Sequence, residues 1–128
     1  MKKQYLFSIV LTTALLSLFA IFKLSSSKPS TIIGPSLEPN TVEMTENGFN
    51  PERLTVKVGT TVTFINKDKA FRWPASDLHP THTIYPEFDP KQPIEPGKKW
   101  SFTFNKSGDW NYHDHLSPLL TGKIIVIN

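Results

Sequence analysis

The sequence predicts an all-β sandwich, on three observations. Beyond residue 40, apolar residues recur with period two in short runs, the spacing that lines one face of a strand. Turn-forming residues divide those runs, and hardly any stretch carries the 3.6-residue period of an amphipathic helix. About seven strands fit into the folded part, the pattern of a small antiparallel sandwich whose binding residues sit on loops at one end.

The first element of the chain lies outside that sandwich. Lys2 and Lys3 precede residues 5–22, YLFSIVLTTALLSLFAIF, which carry no charge and are followed by Lys23 and a polar run. As a helix this segment would be about 27 Å long, near the thickness of a bilayer's hydrocarbon core. Residues 1–24 are therefore expected to form an N-terminal transmembrane or signal helix, and its length favours an uncleaved membrane anchor. Short basic flanks stay cytoplasmic, so the remainder is expected to face the periplasm or cell exterior, and to be secreted if the segment is cut. Residues 25–40, rich in Ser and Pro, read as a linker that holds the domain off the membrane.

The folded domain is expected to span residues 41–128. TVEMT opens it as a strand, RLTVKV places Leu54, Val56 and Val58 on one face, and TTVTFIN does the same with Val62 and Phe64. Gly59-Thr60 between them is a tight turn. Residues 67–97 contain six prolines and form the irregular part, with a weak strand expected at Thr83, Ile84 and Tyr85. KKWSFTFN aligns Trp100, Phe102 and Phe104, DWNYHD aligns Trp110 and Tyr112, and GKIIVIN is apolar enough for a central strand.

Composition excludes several functions. Cysteine is absent, which removes disulfides, thiolate chemistry and lipid attachment through cysteine. The formal charge of +3 is carried by the N-terminal segment: without Lys2, Lys3, Lys23 and Lys28, ten basic residues face eleven acidic ones. Nothing in that balance favours nucleic acid. Neither a Gly-rich phosphate loop nor a Ser-His-Asp order is present, and Ser76-Asp77 near His79 is too local for a triad, so an enzyme is not expected.

All four histidines fall in two places. His113 and His115 flank Asp114 at the end of a strand, where residues two apart point to one side. His79 and His82, in the run HPTH, lie on the long loop, and one turn can bring both rings to the same point. Neutral imidazoles suit copper, zinc or nickel better than calcium or magnesium. Asp114 is a further candidate ligand, since a carboxylate beside imidazoles suits Cu(II) or Zn(II). In the same loop Trp73 either covers the site or, with Tyr85 and Phe88, packs the loop onto the sandwich, and Glu87 and Asp89 are expected to face solvent.

The order FNPERLTVKVGTTVTFINKD, a long loop, then PGKKWSFTFNKSGDWNYHDHLSPLLTGKIIVIN resembles the cupredoxin family, the plastocyanin and azurin type of copper domain. The loop and the Y-H-D-H-L ending also resemble divergent bacterial cupredoxin-like proteins in which these histidines are copper-site candidates. The resemblance implies a Greek-key sandwich with copper at one pole, held by His, Cys, His and usually Met. Carried over position by position, those ligands fall on Arg72, Asp114, Ser117 and Leu120, none of which can make a blue-copper site. If the correspondence holds, Arg72 and Asp114 face each other and can form an ion pair in place of the metal. The H-x-H pair also resembles multicopper oxidases, but those need several such domains and more histidines.

The expected function is therefore copper binding or delivery through a His-rich, non-blue site, using His79, His82, His113, His115 and Asp114, with zinc possible. The alternative is a metal-free cell-surface interaction module in which Arg72-Asp114 replaces the copper site. The sequence names no redox or metal-transfer partner.

Overall fold

The computed structural model describes residues 39–128, and the expected N-terminal helix and most of the linker lie outside them. Eight strands follow in order: β1 (Thr41–Thr45), β2 (Gly48–Asn50), β3 (Arg53–Lys57), β4 (Thr60–Asn66), β5 (Pro74–Ser76), β6 (Lys99–Phe104), β7 (Gly108–Asp114) and β8 (Ser117–Ile127). They form two four-stranded sheets, ordered β2-β1-β4-β6 and β3-β8-β7-β5. Among the described residues no helix occurs.

The period-two runs become strands for the expected reason. In β4, Val62 and Phe64 are fully buried, while Thr61 and Thr63 face outward and meet Thr103 and Ser101 of β6 through hydroxyl contacts of 2.8 and 3.0 Å. Val42, Met44, Val62, Phe64 and Phe104 from one sheet pack against Val56, Tyr112, Ile124 and Val126 from the other. Each such side chain contributes about 1.5–3 kcal/mol by leaving water. Gly59 supplies a positive φ of 82° to the turn after β3, and its amide donates to the Phe104 carbonyl at 2.8 Å.

Three expectations are corrected. The sandwich is mixed rather than antiparallel, because β1 pairs parallel with β4, and β3 parallel with β8. Residues two apart on one face look alike in either direction, so the pattern carries no sign of strand polarity. Thr83, Ile84 and Tyr85 form no strand: Tyr85 alone is buried, and it anchors the loop by filling the core beside Phe102 and Trp110. Two strands lie outside the expected set instead, β2, which pairs with β1, and β5, whose three residues pair with Tyr112–Asp114 of β7.

The irregular segment is held from within. Buried Asn66 donates to the carbonyls of Ala70 (2.8 Å) and Ile94 (2.9 Å) and accepts from the Asp68 amide (2.9 Å), which shapes the chain leading to Arg72. Ser76 closes the other half, its amide donating to the Phe88 carbonyl at 3.0 Å and its hydroxyl accepting from the Tyr85 amide at 2.9 Å. Phe88 is fully buried against Phe64, Phe104 and Tyr112, so the loop carries part of the core.

Candidate metal centre

Strand β7 and the turn residue after it send successive side chains to different places. Tyr112 enters the core, His113 lies against the loop, Asp114 reaches Arg72, and His115 returns to the loop side. Strand β5 fixes this arrangement: Ala75 is opposite His113, Pro74 is opposite Asp114, and the His115 amide donates to the Trp73 carbonyl at 2.8 Å.

The four histidines converge. One nitrogen from each of His79, His82, His113 and His115 lies within 4.8 Å of all the others. His79 Nδ1 is 3.3 Å from His113 Nε2, and His82 Nε2 is 3.0 Å from His115 Nδ1. Nitrogens bound to one ion at about 2.0–2.1 Å are at most about 4 Å apart, so small side-chain movements close the group onto a metal. His82 reaches it from a left-handed backbone (φ 53°), a conformation that His adopts more readily than most residues.

Two carboxylates stand behind the rings. Asp89 Oδ2 is 2.7 Å from His82 Nδ1, and Asp77 Oδ1 is 2.9 Å from His113 Nδ1. A carboxylate accepts, so both rings carry their proton on Nδ1 and turn a free Nε2 lone pair toward the other histidines, the arrangement usual behind metal-bound imidazoles. Burial alone would raise the pKa of Asp89. Hydrogen bonds from Lys91, Trp73 and His82 outweigh that and hold its carboxyl well below the usual range. His115 is shifted down, first by burial and then by the neighbouring His82, His79 and His113, with Asp89 opposing.

The expectation that Asp89 faces solvent is thus corrected: it is buried under Trp73, whose Nε1 donates to Oδ1 at 2.8 Å, while Glu87 is exposed. Trp73 lies between the two readings of it, half-buried, with its ring 4.5 Å from His115.

Asp114 belongs to a different cluster. Its Oδ2 accepts from Arg72 Nη1 at 2.7 Å, and its Oδ1 accepts from the amides of Trp73 and Leu116, both at 3.0 Å. With both oxygens so engaged and turned away, Asp114 is not among the converging side chains, which corrects its place as a candidate ligand. Arg72 also bonds Asp68 and approaches Ser117 Oγ at 3.4 Å. Arg72, Ser117 and Leu120 line one groove of about 440 Å³ with Glu46, Pro118 and Leu119. The positions expected to carry blue-copper ligands therefore do meet, but they hold an ion pair.

The chain matches the cupredoxin-like domain family over residues 12–126. It is a cupredoxin-like protein. Amicyanin from Paracoccus denitrificans is 29% identical over 86 residues, covering 66% of this chain, and the chain spans 63% of that relative's length. Among solved structures, a purple cupredoxin from Nitrosopumilus maritimus superposes with a TM-score of 0.60 at 22% identity, over 68% of this chain and 98% of that one. A Cu-containing nitrite reductase from Thermus scotoductus gives 0.59 at 29% identity, over 79% of this chain but 25% of the enzyme. The cupredoxin-like fold is thus joined to a set of donors that does not fit the thiolate site, while the four imidazoles beside it fit a divalent transition metal.

Proposed function

We propose that this cupredoxin-like protein is tethered outside the cytoplasm by residues 1–24 and binds one copper ion for storage or delivery rather than for catalysis. His79, His82, His113 and His115 are the ligands, and Asp77 and Asp89 orient two of them. The carrying observation is that two histidines have their outer nitrogens tied to carboxylates and their inner nitrogens turned toward the other two. Hydration or a surface role for the histidines would not require that arrangement. Copper is favoured over zinc because the structurally similar nitrite reductase is copper-containing and because four nitrogens suit Cu(II).

The test is metal analysis and absorption spectroscopy of the purified full-length chain. One copper per chain is expected, with weak ligand-field absorption and without the intense charge-transfer band that a thiolate gives. Replacing His113 and His115 together by Ala should abolish stoichiometric copper. A double variant that binds as the parent does would leave the metal-free module, closed at Arg72-Asp114, as the better account.

A further inference from the structure

The four histidines are not equivalent. His82 and His113 are buried, with side chains 5% and 3% exposed, and each is held from behind by a carboxylate. His79 is exposed and His115 is half-buried, and the contacts of their rings run to the other histidines and to Trp73. Leu78 and Leu116, their sequence neighbours, are 61% and 46% exposed.

Proton placement makes the same division. Because His82 and His113 give their Nδ1 protons to Asp89 and Asp77, their Nε2 atoms can only accept when neutral. The short contacts to His115 Nδ1 and His79 Nδ1 therefore need those two rings to donate. All four rings then carry the proton on Nδ1, but the inward nitrogen is the free Nε2 in His82 and His113 and the protonated Nδ1 in His79 and His115. The second pair must move that proton to Nε2, or turn the ring, before it can coordinate, and exposure to water allows either.

We infer that the site is built as two fixed ligands, His82 and His113, and two exchangeable ones, His79 and His115, so that copper passes to an acceptor by ligand replacement at the His79/His115 face. The inference rests on the copper reading above. The acceptor is a nitrogen-donor ligand. Its lone pair forms a bond to the ion as the bond from His79 Nδ1 breaks; the freed ring stays neutral, and no oxidation state changes. Repetition at His115 leaves the ion held by the buried pair and two acceptor nitrogens, and two further acceptor nitrogens then replace His82 Nε2 and His113 Nε2 as those bonds break.

The full-length chain loaded with Cu(II) and mixed with excess free histidine tests this, with copper loss followed in time. For the parent, the rate should rise with free-histidine concentration. His79→Ala and His115→Ala should each keep one copper after desalting and release it about 10-fold faster, whereas His82→Ala or His113→Ala should keep none. Asp77→Asn and Asp89→Asn retain all four imidazoles, and each should weaken affinity by about 10–100-fold, with Glu87→Gln unchanged. Equal copper loss in all four Ala variants, a rate independent of free histidine, or Asn variants that bind like the parent would each overturn the inference while leaving copper binding intact. A parent without copper would overturn both.

Discussion

Two polar clusters sit on either side of one stretch of β7, and they are satisfied in opposite ways. At Arg72, Asp68 and Asp114 the charges complete one another: the guanidinium fork meets two carboxylates, and the free oxygen of Asp114 takes two backbone amides. At the four histidines, the four inward nitrogens pair off in two N–H···N hydrogen bonds. The first cluster is closed by opposite charges, whereas the second is closed by neutral bonds that a cation can displace. A cupredoxin-like fold can therefore hold an ion pair at Arg72 and Asp114 and still bring four histidines together, two of them one residue to either side of Asp114.

The strongest way to break this comparison is to remove Arg72. Arg72→Ala leaves Asp114, which is fully buried, without its counter-charge, and should lower the unfolding free energy in urea by about 3–5 kcal/mol. The double change Arg72→Met with Asp114→Leu should recover most of that loss. A single variant as stable as the parent would mean that the two backbone amides alone hold the carboxylate.

Next in size is the response of the second cluster to copper. At a hundredfold excess over Kd, a ligand bound only to the folded chain adds about 2.7 kcal/mol, so copper should raise the Tm of the parent at pH 7 and leave His113→Ala/His115→Ala unmoved. Equal shifts for both proteins would remove the histidines from the site. At pH 5 the shift should nearly vanish, since a free imidazole titrates near about 6.5 and protons displace the metal.

A smaller effect separates the clusters without metal. The pKa of His115 is depressed in the fold, so the unfolded chain binds more protons between the folded value and about 6.5. The stabilisation is present above that window and is lost as pH falls through it. Urea midpoints of the apoprotein should therefore decline modestly below pH 6.5, and less so in His115→Ala. The smallest expected change is Ser117→Ala: its 3.4 Å contact with Arg72 is long, so stability should stay within about 0.5 kcal/mol and copper binding should be unchanged.

How much of this was legible varies with the kind of interaction. The strands with alternating apolar residues, from Val62-Phe64 to Trp100-Phe102-Phe104, could be read directly because burial on one face imposes the spacing. Strand β5 could not, since Pro74-Ala75-Ser76 is a strand only through its pairing with β7. The four histidines and the Arg72-Asp114 pair were visible as residue types in register with a strand end. Asp77 and Asp89 were not, because a loop carboxylate is ordinarily solvated, and its burial depends on where Trp73, His82 and His113 lie in space. Long-range parallel pairing of β1 with β4 leaves no local mark at all.

The placement of the histidines also bears on chain entropy. His79 and His113 are 34 residues apart, and His82 and His115 are 33 apart, so an ion bound to all four ties the long loop to the sandwich as a cross-link. A covalent bridge closing a loop of that length would stabilise the fold by about 3–4 kcal/mol through restriction of the unfolded chain. In a protein without cysteine, copper would then act as a removable staple: the segment from Lys67 to Gly97 should resist proteolysis when the ion is held, and become the first point of cleavage once it has been given away.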